Sequence, residues 1–388
     1  MGNPTPSAEF DSLAAYAILH SMHYKRRSPL VLAITCTQLV LCGWPTPSSW
    51  GEESPVSPAA AIPKISVIKD GFVMEVFLRF SPNGRELVRI PQFGPVILSD
   101  TTNYKKARTF SVGMRMVAYS PDGTKMATAE GTDGARVWDA VVQGKRVLEA
   151  PGEIYVLETP LQVLEATSKD SKRRVFWTEF SPDGKRLITT QANGHVKVWN
   201  TTSWTVEEEI TETQDEVRVA AFAPDGKMLV IGDIKGVVHR WGFENKAAMK
   251  TTRTPGAVTG IVFAPDGKMV VTTHQSPSNS LVMIWKPSEW GVARLEHGFG
   301  SATFSKDGKI LALGGRNIKL LDPASGMHIR TIELPELTVR ESGPGLGEHP
   351  KADKKIPIQV RALAFSPDGT TLATGCMGPL RLVEMNPQ

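Results

Sequence analysis

The chain has 388 residues, of which 41% are hydrophobic and 22% charged, a balance typical of a folded globular protein and unlike that of a disordered one. Its 44 basic and 40 acidic residues leave a formal net charge of +4, far from the dense Lys and Arg face that binding to phosphates requires. We therefore expect no nucleic acid partner.

Residues 1–62 are predicted to form a leader. Lys25-Arg26-Arg27 precedes an apolar stretch at 29–41, and Pro, Ser and Gly dominate from there to about Pro63. This order resembles a secretory signal, because the positive flank stays on the cytoplasmic side and the apolar stretch is shorter than the roughly 17 to 25 residues of a stable membrane span. We expect an exported protein, either periplasmic, extracellular or membrane-associated, without a stable transmembrane span.

Alternatives to this interpretation of the leader stay open. A start at Met22 gives the signal an ordinary length and makes the upstream residues a gene-model artefact. Leu39-Val40-Leu41-Cys42 is similar to a lipoprotein cleavage box with Cys42 as the lipidated residue, although Leu41 stands where a small residue is expected. The apolar stretch is otherwise a buried or peripheral helix without a targeting role, and the protein is cytoplasmic if the leader is a gene-model artefact.

One phrase recurs seven times after the leader: an aromatic residue, then Ser or Ala, then in most copies Pro-Asp-Gly. The copies begin at Phe80, Tyr119, Phe180, Phe222, Phe263, Phe304 and Phe365. Pro presets φ, Asp or Asn caps the turn through its side chain, and Gly accepts positive φ. Each copy therefore predicts a tight turn between two strands.

The spacing of the copies defines a repeat. Successive aromatic residues are separated by 39, 61, 42, 41, 41 and 61 residues, so the unit has about 41 residues and two copies carry insertions of about 20. The first insertion, near 141–170, is expected to extend blade strands or to form a hairpin. The second, near 335–357, is expected to be a mobile loop. Each is either a functional loop or neutral surface decoration.

A second signature closes the third predicted strand of several copies. It reads Arg136-Val137-Trp138-Asp139, Lys197-Val198-Trp199-Asn200, Arg240-Trp241 and Ile284-Trp285. The first, sixth and seventh copies keep the strand but lack the Trp. Because the Trp residues recur at the repeat period, we expect them in the blade cores rather than in a ligand cage.

The repeat count predicts a closed ring. A four-stranded sheet of about 41 residues cannot bury both its faces alone, so seven of them are expected to stack radially as a single domain at 63–388. The last copy has no residues left for a fourth strand, and we expect Ile65-Ser66-Val67-Ile68 to fill that edge. The ring is then closed by an N-terminal strand.

The turn phrase and the Trp-Asp endings together resemble the WD-repeat family over residues 63–388. The resemblance implies an all-β, seven-bladed β-propeller of WD-repeat type, a rigid platform that binds proteins or peptides and rarely carries catalytic residues. The propeller repeat of periplasmic Tol-system proteins shares the turn, but the Val-Trp-Asp endings favour the WD-repeat family. The Gly-His dipeptide that usually opens a WD repeat is only approximated by Glu296-His297-Gly298, so we expect packing, rather than a network of His, Asp and Trp, to hold most blades.

No motif of an enzyme is found: HExxH, GxSxG, the phosphate-binding loop and the EF-hand loop are all missing. The eight His residues are scattered, and His195 and His239 fall where structural roles are expected. The repeated turn Asp residues lie far apart around a ring and cannot form an acid/base pair. Three cysteines, Cys36, Cys42 and Cys376, build neither a disulfide framework nor a CxxC cluster, and Cys376 is expected to be buried. We predict no catalytic, cofactor-binding or metal-binding residues.

The function predicted from the sequence is that of a non-catalytic scaffold. We expect a monomeric propeller that binds a protein or peptide partner, whose identity the sequence does not specify. A propeller with a small-molecule or hydrolytic site in its central channel is the alternative, and a cytoplasmic scaffold of the same fold is another. The apolar strands before the turns, such as Val117-Ala118-Tyr119, disfavour a channel enzyme.

Overall fold

A computed structural model describes residues 63–385 except for 111–113, 132–133, 141–144, 150–151, 157–159, 166–172, 212, 214, 245–250, 276–279, 340–353 and 357. The predicted leader at 1–62 lies outside the described residues. The same holds for the predictions made on it, which are the signal-like stretch, the start at Met22 and the lipidation of Cys42. Every regular element of the described residues longer than a single turn is a β-strand. The expectation of an all-β fold is confirmed.

Seven antiparallel blades follow one another along the chain. The first blade contains β1 (Ile65–Phe80), β2 (Glu86–Pro91), β3 (Val96–Asp100) and β4 (Lys106–Phe110). The second contains β5 (Met116–Tyr119), β6 (Lys125–Ala129), β7 (Ala135–Asp139) and β10 (Gln162–Glu165). The third contains β11 (Val175–Phe180), β12 (Arg186–Gln191), β13 (Val196–Asn200) and β14 (Val206–Ile210). The fourth contains β15 (Val217–Phe222), β16 (Met228–Asp233), β17 (Val237–Gly242) and β18 (Thr251–Arg253). The fifth contains β19 (Ala257–Phe263), β20 (Val270–Gln275), β21 (Ser280–Lys286) and β22 (Gly291–His297). The sixth contains β23 (Ser301–Phe304), β24 (Leu311–Gly314), β25 (Ile318–Leu321) and β26 (His328–Ile332). The seventh contains β29 (Val360–Phe365), β30 (Thr371–Glu384) and the first residues of β1.

The ring is closed by the N-terminal strand, as predicted. Ile65 pairs with Val383 and Ile68 with Leu380, so the start of β1 is the outer strand of the seventh blade. The end of β1 is the inner strand of the first blade, where Phe80 pairs with Leu87. One continuous strand therefore hydrogen-bonds to both blades and joins them in a six-stranded sheet.

The seven repeated turns connect the first and second strands of the blades and lie on one face of the ring, which we call the turn face. The glycines of the phrase have φ between 68° and 73°, a region where a Cβ is strained. In five copies a Ser hydroxyl donates to the carboxylate or amide oxygen two residues later, as Ser120 does to Asp122 at 2.5 Å. The same oxygen accepts the backbone N–H two residues further on in all seven copies. The predicted capping role of Asp and Asn is confirmed.

Neighbouring turns also pack against each other around the ring. A Cβ added to Gly184 would lie 3.5 Å from Cδ of Pro121 in the preceding copy, and four other copies repeat this contact. In the sixth copy Lys306 replaces the Pro, and a Cβ on the following Gly369 would meet nothing within 4 Å. The Pro-Asp-Gly residues therefore serve contact between blades as well as the turn itself.

Hydrogen bonds of the Trp residues add to packing in three blades. Nε1 of Trp138, Trp199 and Trp285 donates to the hydroxyls of Thr128, Thr189 and Thr272 at 2.9, 3.0 and 2.7 Å. In the fourth blade Ile231 stands at the Thr position, and Nε1 of Trp241 has no acceptor among the described residues. The sequence analysis did not predict this pairing with a Thr of the second strand. The prediction that the Trp residues are core is confirmed, since all four are buried.

The first blade replaces the Trp–Thr pair by an ion pair. Ser99 stands at the Trp position and Arg89 at the Thr position. Arg89 donates from Nε (3.2 Å) and Nη2 (2.5 Å) to Oε1 of Glu75, and both side chains are 0% exposed. A buried pair of this kind is stable only while both partners are present.

Three aromatic residues adopt left-handed backbone between the third and fourth strands. Tyr104, Trp204 and Trp290 have φ of 55°, 56° and 49°, a conformation that costs a bulky residue energy. Burial offsets that cost: Trp290 packs on Trp285 at 6.2 Å between ring centroids and Arg240 lies 4.3 Å from the Trp290 ring. The sequence analysis did not predict this feature.

The two insertions lie on opposite faces. The first contains the hairpin of β8 (Lys145–Glu149) and β9 (Gly152–Val156), between the third and fourth strands of the second blade on the turn face, which confirms the predicted hairpin. The second begins and ends in a ribbon of β27 (Leu337–Val339) and β28 (Lys354–Ile356) on the other face, which we call the loop face. The loop predicted there is thus strand-paired at its base, while residues 340–353 lie outside the described residues.

Candidate functional site

The inner strands of all seven blades surround a central channel. Its cavity has a volume of about 1160 Å³ and is lined by residues of β1, β5, β11, β15, β19, β23 and β29. The prolines of the repeated turns and Lys306 form its end on the turn face. Because every inner strand starts on the loop face, the first residues of these strands form the other end.

Arginines gather at the loop-face end of the channel. Arg115, Arg218 and Arg361 occupy one repeat position, four residues before the aromatic residue of the turn phrase, and Phe176 occupies it in the third blade. Arg174 precedes Phe176 by two residues and lines the same channel. We call these five residues the channel mouth.

Phe176 is the centre of the channel mouth. The guanidinium carbons of Arg115, Arg174 and Arg218 lie 5.6, 5.5 and 5.6 Å from the centroid of its ring. These distances fall within the range of a cation–π interaction, in which the negative face of the ring attracts the cation. The three arginines come from the second, third and fourth blades, so the cluster exists only in the assembled ring.

One carboxylate pairs with an arginine of the channel mouth. Oε1 of Glu216 lies 2.6 Å from Nε of Arg218. Arg361, which is exposed and lines the same channel, adds a further positive charge.

Larger side chains narrow the channel beyond the mouth. Phe77 of the first blade and Trp177 of the third meet edge to face at 6.0 Å. Glu179 accepts a hydrogen bond from Nε1 of Trp177 at 3.3 Å and lies 3.8 Å from Nη2 of Arg79. Burial raises the pKa of Glu179, and Arg79 and Trp177 oppose that shift. These four residues, which we call the waist, connect the first and third blades past the small Ala118.

The opposite side of the channel carries small residues at the same repeat position. Where the first and third blades have Phe77 and Trp177, the fifth and seventh have Gly260 and Ala362. A Cβ added to Gly260 would lie 2.7 Å from Oγ1 of Thr273, so the Thr273 side chain occupies the space beside that glycine.

The described lining holds a single carboxylate. Glu179 is the only carboxylate among the described residues that line the channel, and no His or Cys lies among them. A general acid and base must both lie within hydrogen-bond reach of the reacting groups. Over the described part of the chain, no three His, Cys, Asp or Glu side chains are grouped so that they could hold a metal ion. Nor does any helix in that part have the length and apolar character to cross a membrane.

The residues considered in the sequence are structural. Nε2 of His239 lies 3.0 Å from Oδ2 of the buried Asp233, and the exposed His195 pairs with Glu209 at 2.9 Å. His274 lies between Thr254 and Thr272, where burial lowers its pKa to about 4.

Cys376 is fully buried, as predicted. Nη1 of Arg381 donates to its Sγ at 2.6 Å. Burial raises the pKa of the thiol, which Arg381 partly counteracts. The side chain thus behaves as a small core residue.

The channel mouth was missed in the sequence. The residues directly before the turn, such as 117–119, are apolar, and Arg115 lies two residues before them. Aligning the seven copies would have found it, because Arg115, Arg218 and Arg361 then share one column with Phe176. The cation–π grouping itself depends on the spacing of the blades and has no signal along the chain.

Two comparisons with known proteins agree with the repeat. The family model described as "WD domain, G-beta repeat" matches residues 158–200 and 354–378, which fall on the third and seventh blades. The Protein LST8 homolog of Drosophila melanogaster is 28% identical over 123 residues. That alignment covers 31% of this chain and 36% of the relative, so it spans about a third of either protein.

Proposed function

We propose that this chain, which is a WD-repeat β-propeller, is a non-catalytic platform that binds a protein partner at its channel mouth. The propeller fold supports a role in protein interaction in general. The proposal adds the face and the residues that carry this role.

One observation carries the proposal: three arginines from three blades are grouped on Phe176 at a channel opening. Arg and aromatic residues are enriched where interfaces bind most strongly. Phe176 and Arg218 lie on inner strands, and Arg115 and Arg174 directly precede such strands, so the ring fixes the backbone of all four residues. The β27–β28 ribbon lies on the same face and adds to the surface there.

The non-catalytic part of the proposal is supported by the lining. Glu179, the one described carboxylate there, is engaged by Trp177 and Arg79. A pair of carboxylates, or a carboxylate with a His or Cys, would support hydrolysis, and the described lining residues contain no carboxylate besides Glu179 and no His or Cys.

The test is quantitative capture with matched variants of the full chain. The mouth variant, Arg115→Gln with Arg218→Gln, removes two charges on the loop face. The control variant, Lys105→Gln with Lys185→Gln, removes two exposed charges on the turn face that do not line the channel. Extract of the native host is passed over each immobilised protein, and captured proteins are quantified by mass spectrometry. At least one protein should be retained by the wild type and the control and lost from the mouth variant. Identical retention by all three would contradict the proposal.

We also propose that the chain acts outside the cytoplasm. The support is the order of Lys25-Arg26-Arg27, the apolar stretch at 29–41 and the Pro- and Ser-rich residues that follow. Full-length chain with a C-terminal tag is expressed in its native host, the cells are fractionated, and the mature N-terminus is determined by mass spectrometry. A start near Gly43 or later in exported or membrane material is expected. An intact leader in the cytosol would contradict export.

A further inference from the structure

We infer that Arg240 and Trp290, at the seam between the fourth and fifth blades, form a binding site for a carboxylate of a partner protein, supplied by an Asp or Glu side chain. The two residues come from the third strand of one blade and from the connection between the third and fourth strands of the next. Neither lines the channel, so the inference is independent of the proposed function.

Arg240 occupies a position that is apolar in other blades. It pairs with Val230, which follows the aromatic residue of the turn phrase by eight residues. The residues with the same pairing in five other blades are apolar and at most 5% exposed: Leu98, Val137, Val198, Ile284 and Leu320. Packing of the blades therefore favours an apolar side chain at this position, and the presence of a cation needs another explanation.

The guanidinium of Arg240 has no anionic partner among the described residues. Its Nε is buried without a hydrogen-bond acceptor in that part of the chain. Burial lowers the pKa of Arg240, with no opposing carboxylate among the described residues. By contrast, Arg186 stacks on Phe243 at 4.5 Å and its Nε pairs with Glu207 at 3.2 Å. A stacked arginine thus has its own carboxylate in the seam before, and Arg240 lacks one.

Trp290 determines which edge of the guanidinium a ligand can reach. Cζ of Arg240 lies 4.3 Å from the centroid of the Trp290 ring, and that ring packs on the fully buried Trp285. Stacking uses the face of the guanidinium and leaves its N–H groups for hydrogen bonds in the plane. Because Nε is buried while the residue as a whole is partly exposed, the edge of Nη1 and Nη2 remains. Two parallel N–H donors match the two oxygens of a carboxylate.

Two glycines flank the stacked pair. Gly242 follows Arg240 by two residues in β17, so a side chain there would lie on the same face of the sheet. Gly291 follows Trp290 directly. A Cβ added to either glycine would meet no described atom within 4 Å. The position of Gly242 carries a side-chain oxygen in the first three blades, from Asp100, Asp139 and Asn200. The fourth blade therefore combines an added cation with the loss of that oxygen.

Charge favours a carboxylate over a phosphate. One unpaired guanidinium neutralises one negative charge, whereas a phosphorylated side chain carries about −1.5 to −2. Lys227, whose backbone accepts from Phe243 at the same seam, already pairs with Glu244 at 2.8 Å. The exposed Glu289, directly before Trp290, repels a dianion more strongly than a carboxylate. Arg and Trp are enriched where protein interfaces bind most strongly, which indicates a protein as the source of the carboxylate.

Titration with blocked tripeptides tests the inference. The probes are acetyl-Gly-Glu-Gly-amide and, as a neutral match, acetyl-Gly-Gln-Gly-amide. Binding to the full chain is followed by the indole N–H signal of Trp290 in nitrogen–proton correlation spectra, assigned with Trp290→Phe. We expect the Glu peptide to shift this signal to saturation and to bind at least about tenfold more tightly than the Gln peptide, a difference of about 1.4 kcal/mol.

Arg240→Leu is the matched variant, because Leu320 stands at this position in the sixth blade. It removes the cation and restores an apolar residue, so the shift of Trp290 with the Glu peptide should disappear. The control variant defined above removes two cations elsewhere on the turn face and should keep the shift. Arg240→Lys retains the charge without the planar fork and should bind with intermediate affinity.

Unfolding in urea separates a role in binding from a role in folding. If Arg240 serves a ligand rather than the fold, Arg240→Leu should unfold at the same urea concentration as the wild type or at a higher one. A lower midpoint would show that Arg240 stabilises the seam and would overturn the inference.

The remaining outcomes concern the ligand. Equal shifts with the Glu and Gln peptides, or a shift retained in Arg240→Leu, would contradict a carboxylate site at Arg240. Tighter binding of inorganic phosphate than of the Glu peptide would contradict the choice of a carboxylate. Sodium acetate tests the source: weaker binding than that of the Glu peptide supports a protein ligand, and equal binding would rule against it.

Discussion

Thr189→Val tests whether the Trp–Thr hydrogen bond stabilises a blade. The Thr189 side chain is 0% exposed, and its hydroxyl accepts from Nε1 of Trp199 at 3.0 Å. Valine keeps the shape and removes this acceptor, so the indole N–H is left without a partner where water is excluded. An unsatisfied buried donor costs about 1–3 kcal/mol. We expect the free energy of unfolding to fall by that amount.

Thr178→Val is the matched control. Thr178 pairs directly with Thr189 across β11 and β12, is equally buried, and its hydroxyl has no hydrogen-bond partner. Removing this hydroxyl should leave stability unchanged or raise it. Urea unfolding followed by circular dichroism gives the midpoint, which should fall for Thr189→Val with an unchanged slope. Equal midpoint shifts in both variants would refute the reasoning, because the bond to Trp199 would then add nothing.

Ser120→Ala removes the hydroxyl that bonds Asp122 and should lower the free energy of unfolding by about 1 kcal/mol in urea; no shift in the midpoint would show that the turn holds without it. Hydrogen bonds, chiefly from Ser120, lower the pKa of Asp122 from 3.8 to about 2, so its contribution to stability is full above pH 4 and is lost as the pH falls towards 2. The Tm difference between the wild type and Asp122→Asn should therefore shrink across that window, and a constant difference would contradict the assignment. Arg89→Met leaves Glu75 buried without its ion pair and should cost about 3–5 kcal/mol. Adding Glu75→Gln should recover most of this loss in the same urea assay, whereas additive losses would disprove the pairing.

The fold was predictable because each copy of the repeat contains residues that determine its turn locally. A turn such as Ser120-Pro121-Asp122-Gly123 fixes its own backbone, so one copy indicates a hairpin and seven indicate a ring. The closing strand at 65–68 followed from the missing edge of the last blade. Thr189 as the partner of Trp199 was not predicted, because the pair is formed between strands and Thr is common in strands for other reasons.

The left-handed aromatic residues show a different limit. Tyr104, Trp204 and Trp290 occupy a position where Gly is favoured, and Gly326 does occupy it in the sixth blade with φ of 71°. Local rules therefore predict a small residue there. Packing of the ring against the neighbouring blade overrides the local preference, and such packing is known only once the blades are in place.

The two faces of the ring differ in how closely they follow the repeat, and this difference supports binding on the loop face. On the turn face the Gly packs on the preceding Pro in five of the seven copies, so a change in one of these copies disturbs its neighbour. The repeat position four residues before the aromatic residue of the turn phrase varies much more. The seven copies carry there Val76, Arg115, Phe176, Arg218, Thr259, Gly300 and Arg361. A position that served packing alone would tolerate a narrow range of sizes, as the aromatic position does with Phe and Tyr only. The wide range at the channel mouth indicates that folding does not determine these residues, and the grouping of three arginines on Phe176 is then best explained by a ligand.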